Sequence, residues 1–287
     1  MIIDCHTHVF PDEVRRNRVL FCKKDKGFSS IYGDPKAKMI GVDDLMASMD
    51  EAEIDASVLC GFSWERSDLC HPHNQYLLES ATRHPHRFVV FLSLPFSDPD
   101  QALRELDNGI REGARGVGEV AFYQREMTSQ DLDLMRPVLK WMEERRIPLL
   151  LHANETIGHS YPGKGETPLG RFYELVHSHP DLPIVLAHWG GGLLFYELMP
   201  EVARVFANVY YDTAASPYLY SPRIYRLGCE VAGADKILFG SDFPLISPTR
   251  YFREMEESGL NRGDQEKILS LNLSRLLRWD RKGPHAA

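Results

Sequence analysis

Cysteine is scarce in this sequence, and no two cysteines stand in a Cys-x-x-Cys pair. The 287 residues include five cysteines, an odd number. Neither the count nor the spacing matches a framework of disulfide bonds, so we expect reduced thiols and a cytoplasmic protein. The five are Cys5, Cys22, Cys60, Cys70 and Cys229.

Long apolar runs and basic runs are also missing. No apolar stretch reaches the roughly 18 residues of a membrane span, and the N-terminus lacks the charged and apolar regions of a signal peptide. The net charge is −8, from 33 Lys and Arg against 41 Asp and Glu. This balance argues against nucleic acid and anionic membranes as partners. We expect a small-molecule substrate, and the oligomeric state is left open, a homodimer included.

What the sequence has instead is an alternation of short apolar runs with segments of helical spacing. Apolar runs of four to eight residues are typical of strands buried on both faces, as in a parallel sheet. Eight such runs predict a single (β/α)8 TIM barrel of the α/β class, and the length suits a barrel of about 250 residues with insertions. The predicted strands are 2–5, 55–60, 87–94, 116–120, 147–152, 182–188, 208–212 and 236–242.

The segments between these runs are predicted helices, with Asp43, Asp98 and Ser129 as N-caps of three of them. No linker rich in proline, glycine or serine interrupts the alternation. We therefore predict one domain over residues 1–280 and a loose tail over 281–287. The predicted helices are 43–53, 73–83, 99–112, 130–145, 169–178, 195–206, 222–232 and 262–278.

Segment 11–41 does not fit the alternation. It is polar, partly basic, and lies between the first predicted strand and the first predicted helix. A long loop at this point would cover the mouth of the barrel, where loops of such length often act as lids. We predict a somewhat distorted barrel with a long loop after strand 1; the alternative is a solvated surface loop.

The most informative motif is Asp4-Cys-His-Thr-His8, at the end of the first predicted strand. Side chains two apart on a strand share a face, so His6 and His8 project together. Three other His-x-His pairs occur, but two precede predicted strands and one begins a helix, so we predict surface or capping roles for them. These are His71 with His73, His84 with His86, and His177 with His179.

Ligand-type residues stand at the C-terminal ends of four further predicted strands, where the active sites of TIM barrels lie. Strand 4 carries Glu119, strand 5 ends in His152, strand 6 in His188 and strand 8 in Asp242. Imidazole and carboxylate groups suit Zn²⁺ first, with Mn²⁺, Fe²⁺ and Co²⁺ as alternatives. Such an ion activates water and polarises a carbonyl. Asp242 is placed to ligate the metal and to accept the proton of the water.

These residues resemble the amidohydrolase superfamily, in the branch called amidohydrolase-related or "amidohydrolase 2". The resemblance runs from residue 1 to about 278 and implies a distorted barrel with one or two divalent metals. It implies that His6, His8 and Asp242 bind the more buried metal and that Asp242 shuttles the proton. His152 and His188 would bind a second metal, or His188 would act on the substrate in members with one metal. The matching segments are Asp4–His8, Leu149–His152, Val185–His188 and Leu238–Pro244.

Glu119 stands where many members of the superfamily have a carboxylated lysine or a glutamate that bridges two metals. Gly118-Glu119-Val120 looks like the Gly-Glu-Ile segment of the TatD-type deoxyribonucleases, whereas decarboxylase members usually lack a ligand there. The alternative is a Glu119 that faces solvent or pairs with Arg115. The ligand interpretation favours a centre with two metals.

We therefore predict a hydrolase in which metal-activated water attacks an amide, ester or lactone carbonyl of a small molecule, with Asp242 and His188 as catalytic residues. The main alternative is a lyase with one metal that decarboxylates an aromatic or unsaturated acid without oxidation. A metal-free lactonase, a binding barrel without activity and a phosphodiesterase acting on DNA are weaker alternatives. Candidate substrate contacts near strand ends are Tyr123, Arg125, Asn154, His159, Lys164 and Trp189, with Trp64 and Arg66 as further candidates.

Overall fold

The computed structural model describes residues 1–123, 125–280 and 283–284, and it confirms the predicted barrel. Eight parallel strands pair in chain order, and nearly all of their residues are buried. The uninterrupted burial explains why the strands are continuous apolar runs and do not alternate. The strands are β1 (Ile3–Thr7), β2 (Ala56–Cys60), β3 (Phe88–Leu92), β4 (Gly116–Val120), β5 (Leu149–Leu151), β6 (Ile184–Leu186), β7 (Val209–Asp212) and β8 (Ile237–Leu238).

The barrel closes between β1 and the segment that follows β8. The backbone N–H of Cys5 donates to the carbonyl of Phe239 at 2.8 Å, and the N–H of Asp242 donates to the carbonyl of His6 at 2.9 Å. The eighth predicted strand ends early, at Leu238, but these bonds continue its course to Phe243. The closure therefore carries Asp242 alongside His6.

Helices follow the strands around the outside of the barrel. Asp98 caps its helix as predicted, while Gly41 and Thr128, just before the predicted Asp43 and Ser129, cap the other two. The structure also has a helix at Pro248–Glu257 that the sequence analysis did not predict. The helices are α1 (Asp12–Arg16), α2 (Arg18–Lys24), α3 (Lys26–Tyr32), α4 (Val42–Glu51), α5 (Ser67–Arg83), α6 (Pro99–Arg111), α7 (Ser129–Arg145), α8 (Leu169–Ser178), α9 (Pro200–Val205), α10 (Ser216–Leu219), α11 (Arg223–Ala232), α12 (Pro248–Glu257), α13 (Arg262–Glu266) and α14 (Asn272–Leu277).

The prediction that residues 11–41 form a loop is wrong for much of the segment, which contains the three short helices α1–α3. Helices of five to seven residues are marginal alone, and tertiary packing stabilises these. Phe28 stacks on Trp64 with ring centroids 5.0 Å apart, and Phe10 lies edge-on to Tyr32 at 5.0 Å. The segment covers the barrel mouth, as predicted, through this aromatic cluster.

The interior of the barrel is apolar, and α14 with Trp279 packs against its lower end. A larger core lies between the strands and the surrounding helices. The predicted tail, 281–287, lies outside the described residues except for Gly283–Pro284, which pair with Trp279–Asp280. Among the described helices, none combines the length and apolarity needed to cross a bilayer.

A left-handed turn follows β6, in place of the last residues of the predicted sixth strand. His188, Trp189, Gly190 and Gly191 all have φ between 57° and 63°. The turn directs His188 toward the mouth and reverses the chain. A Cβ built on Gly191 would lie 2.3 Å from the carbonyl oxygen of Asn154, so the turn requires glycine at this position.

We predict that Gly191→Ala destabilises the protein by roughly 1–3 kcal/mol, because alanine disfavours the left-handed conformation and would collide with backbone. Gly170→Ala is the matched control, since a Cβ added to Gly170, which lies in α8, would meet no atom within 4 Å. We expect the control to be neutral or slightly stabilising. Urea unfolding measures both, and equal stabilities would contradict the proposed role of the turn.

Candidate metal centre

The six residues predicted as metal ligands lie together at the C-terminal mouth of the barrel. Their donor atoms form two groups that share one carboxylate. The six are His6 within β1, Glu119 within β4, and His8, His152, His188 and Asp242 after the ends of β1, β5, β6 and β8.

The first donor group consists of His6, His8, Glu119 and Asp242. The Nε2 atoms of His6 and His8 are 3.0 Å apart. Glu119 Oε2 lies 3.6 and 3.7 Å from these two nitrogens, and Asp242 Oδ1 lies 3.8 and 3.4 Å from them. Ligands about 2.1 Å from one ion are roughly 3.0–3.5 Å from one another. The spacing of the first donor group therefore fits a divalent metal.

The second donor group consists of Glu119, His152 and His188. Glu119 Oε1 lies 2.9 Å from His152 Nδ1 and 3.4 Å from His188 Nε2, and these two nitrogens are 3.1 Å apart. Glu119 is only 4% exposed, so it does not face solvent. Its two oxygens turn toward different groups, which is the geometry of a bridging carboxylate.

Backbone carbonyls orient the two histidines of the second donor group. His152 Nε2 donates to the carbonyl of Gly163 at 3.0 Å, and His188 Nδ1 donates to the carbonyl of Ala214 at 3.1 Å. A carbonyl only accepts, so these nitrogens carry the hydrogens. In their neutral form the two histidines would therefore present the lone pairs of their other ring nitrogens to a metal beside Glu119, which is the arrangement typical of metal-binding histidines.

Asp212 is a part of the centre that the sequence analysis missed. This fully buried carboxylate accepts from His6 Nδ1 at 2.8 Å through Oδ2. Its Oδ1 accepts from the backbone N–H groups of His188 and Ala214 at 2.8 and 3.0 Å. The same signal that identified Asp242, a carboxylate at the end of a predicted strand, was present at Asp212.

Charges within the centre shift the pKa values of its members. Burial lowers the pKa of His188, but the hydrogen bond and charge of Glu119 outweigh burial and raise the pKa to about 9. Burial raises the pKa of Asp242, but the hydrogen bond with His8 and the charges of His6 and His188 lower it to about 2. Without a metal, pairs of imidazolium and carboxylate groups therefore stabilise the centre, and a divalent cation would displace the proton of any histidine that it binds.

The donor groups form the floor of a pocket of about 620 Å³, a volume ordinary for small-molecule sites. Aromatic rings of Tyr32, Phe62 and Tyr123 line the wall on the side of β2 and β4. Tyr123 also donates to Glu119 Oε2 at 3.3 Å. The pocket therefore places aromatic surface directly above the candidate metal ligands.

Two of the predicted substrate contacts, Tyr123 and His159, line this pocket. The others are not among the described residues of its lining, because each has a structural partner elsewhere. Arg66 and Arg125 pair with nearby aspartates, Trp64 lies in the aromatic cluster, Asn154 and Lys164 bond the backbone of their own loop, and Trp189 is buried against Ser216 and Tyr225.

The other His-x-His pairs take no part in either donor group within the described chain. The prediction of surface or capping roles is wrong for His73, which is buried within α5, whereas His179 is buried but is the C-cap of α8. His73 accepts from Trp64 Nε1 and donates to the carbonyl of Val9, both at 3.0 Å, and burial lowers its pKa to about 4. His179 pairs with Glu143 at 3.3 Å.

Comparison with known proteins shows what the chain is similar to. The sequence model of a protein family, described as Amidohydrolase, matches residues 3–279 of this chain. The four curated relatives that match are γ-resorcylate decarboxylases. The one from Rhizobium radiobacter is 24% identical over 247 residues, which cover 72% of this chain and 75% of the relative.

Solved structures share the fold over nearly the whole chain. The 5-carboxyvanillate decarboxylase of Sphingomonas paucimobilis matches with a TM-score of 0.79 and 16% identity, covering 96% of this chain and 98% of its own. A dihydroxybenzoic acid decarboxylase from Polaromonas sp. JS666, with bound manganese, matches with a TM-score of 0.69 and 19% identity, covering 96% of both chains.

These comparisons correct the prediction of function. Hydrolysis of an amide, ester or lactone is wrong as the main interpretation, because the matching relatives and these solved structures are decarboxylases. They support the lyase that the sequence analysis kept as its alternative. A divalent metal is supported by the donor groups and by the manganese of the Polaromonas structure, while zinc itself is not.

We predict that Asp212→Asn weakens metal binding by about 10- to 100-fold, because the amide loses the charge that orients His6 and makes it a stronger donor. Asp133→Asn is the control, since Asp133 is exposed and pairs only with Arg136 among the described residues. Competition with a chelating dye measures both affinities. Equal affinities in the two variants would contradict the role of Asp212.

We also predict that metal binding releases a proton and strengthens as the pH rises. Burial lowers the pKa of His6, but the charges of Glu119 and Asp212 outweigh burial and raise it well above its usual value, so His6 is protonated in the metal-free protein at neutral pH. A metal takes only the neutral imidazole, so protons compete with it at low pH. Calorimetry in buffers of different ionisation enthalpy measures the release, and binding without release would contradict this protonation state.

Proposed function

The chain belongs to the amidohydrolase family, and we propose that it is a metal-dependent lyase that removes carbon dioxide from an aromatic carboxylic acid. The observation that carries the proposal is the position of the donor groups on the floor of an aromatic-walled pocket. An acid whose ring lies against Phe62 and Tyr123 would direct its carboxylate to the donor groups. The decarboxylase relatives support the same reaction.

We propose that one ion is held by the first donor group: His6, His8, Glu119 and Asp242. A divalent ion held by these residues would supply positive charge that attracts the carboxylate of the substrate. Mixed imidazole and carboxylate donors suit both manganese and zinc. Manganese is the first metal to test, because a relative of the same fold contains it.

Decarboxylation needs a proton at the ring carbon that carries the carboxylate. The proton adds to that carbon, the bond to the carboxylate breaks, and its electron pair returns to the ring as carbon dioxide leaves. We propose His188 as the proton donor, because it lines the pocket and Glu119 lies 3.4 Å from its Nε2 as a counter-charge. Asp242 is the weaker candidate, since its pKa of about 2 leaves it without a proton at neutral pH.

The reaction is tested with the full chain loaded with manganese or zinc, on 2,6-dihydroxybenzoate and 5-carboxyvanillate in D₂O. We expect carbon dioxide and a product with one deuterium on the carbon that lost the carboxylate. Failure of a broad panel of hydroxybenzoates with either metal would falsify the proposal. Metal analysis of the same samples reports how many ions the chain holds.

We predict that His188→Asn lowers kcat by about 10²- to 10⁴-fold, the usual contribution of a positioned acid, while the chain keeps one ion. His177→Asn is the control, because His177 is exposed and lies on α8. Asp242→Asn should instead lower metal content along with activity. Two ions in the active enzyme, with one lost in His188→Asn, would make His188 a ligand and contradict its role as the acid.

A further inference from the structure

The pocket extends well beyond the space needed by one carboxylated ring on its floor. A volume of about 620 Å³ is in the range of sites that enclose drug-sized ligands. Its lining runs from Glu119 and Asp242 at the floor to residues 34–38 at the mouth. A single-ring acid held by the donor groups would leave the outer part of the pocket to water.

A continuous series of aromatic contacts connects the floor with the mouth. Tyr123 meets His152 edge-on at 5.4 Å between ring centroids, and Phe62 stacks on Tyr123 at 5.7 Å. Tyr32 lies 5.9 Å from Phe62 and comes just before the residues at the mouth. A flat apolar molecule that lies along this wall therefore reaches residues 34–38.

The mouth turn, Asp34–Lys38, is held in place by the guanidinium of Arg18. Arg18 Nη1 donates to the carbonyl of Asp34 at 2.9 Å, and Nη2 donates to the carbonyl of Ala37 at 2.8 Å. The N–H of Ala37 also donates to the carbonyl of Asp34 at 2.9 Å. These bonds fix the backbone from which Lys36 and Lys38 project.

Lys36 and Lys38 are exposed and line the pocket. Asp34, the nearest acid in the turn, accepts from the backbone N–H of Lys36 at 2.8 Å. Within the described chain, neither ammonium group is in an ion pair with a carboxylate. Two cations that pair with no carboxylate of the described residues stand at the mouth of the pocket, in a chain of net charge −8. They are placed to bind an anion that enters the pocket.

We propose that the substrate is an aromatic acid extended, at the end opposite its reacting carboxylate, by an arm with a second anionic group that binds Lys36 and Lys38. The inference rests on the proposed decarboxylase function, because that function sets which end of the substrate lies on the floor. The aromatic wall binds the body of the molecule, and the mouth turn selects the anionic end.

Two matched acids test the proposal: 2,6-dihydroxybenzoate with a butoxy arm opposite the carboxylate, and the same acid with a 3-carboxypropoxy arm. We expect kcat/KM of the metal-loaded full chain to be about three- to tenfold higher for the charged arm, the range expected for two partly exposed ion pairs. The preference should arise in KM and should shrink at high salt, because salt screens exposed charges.

The variant Lys36→Met with Lys38→Met should abolish this preference and leave kcat for the neutral arm unchanged. Lys23→Met is the control, since Lys23 is an exposed lysine of α2 outside the described lining of the pocket, and it should keep the preference. Arg18→Met should weaken the preference by loosening the mouth turn, with kcat retained.

Turnover of both acids without a preference would overturn the anionic arm and leave the decarboxylase standing. An equal loss for both acids in the lysine variant would also overturn it, because the lysines would then only attract anions in general. If neither acid is decarboxylated, the proposed function fails, and calorimetry with the two resorcinols that carry the same arms tests the mouth alone. Tighter binding of the charged arm that depends on the two lysines supports the inference, and equal binding contradicts it.

Discussion

The buried carboxylate of Asp212 holds the centre together. A buried ion costs several kcal/mol unless its oxygens are satisfied, and Asp212 accepts from His6 Nδ1 and from the backbone of His188 and Ala214. These bonds join the end of β7 to β1 and to the turn after β6. The relative position of His6 on β1 and His188 after β6 therefore depends on one side chain that contributes no atom to either donor group.

The barrel, and the convergence of the six candidate ligands at its mouth, could be predicted because the fold constrains both strongly. Strands buried on both faces require apolar runs, and closure in chain order brings every strand end to one mouth. Local geometry could not be predicted in the same way. Trp189 follows the candidate ligand His188 in the sequence but is buried outside the described lining of the pocket, because it lies in the left-handed turn. Lys164 donates to the carbonyls of Ile157 and His159 in its own loop, and the position of Lys164 in the sequence does not predict these bonds.

The reaction could not be predicted from the candidate ligands, because the same donor residues can support more than one type of reaction. A divalent ion beside an imidazole can assist attack by water or the loss of a carboxylate. Glu119 favoured hydrolysis when it was considered only as a bridge between two metals. The structure allows a second role, since Glu119 Oε1 lies against His188 and favours its protonated form. An acid that keeps its proton is what decarboxylation needs and what attack by water does not.

The two sides of the pocket differ in whether they form hydrogen bonds with the candidate metal ligands. The loop after β5 supplies Tyr161 and Gly163 to the lining, and the carbonyl of Gly163 also orients His152. A change in that loop therefore disturbs a candidate ligand. Among the described residues, segment 11–41 makes no hydrogen bond to a side chain of either donor group, although Tyr32 and the mouth turn line the same pocket. Residues of α1–α3 and the mouth turn can therefore change substrate selection without disturbing the candidate metal ligands. Proteins that share a barrel commonly differ in function through such segments.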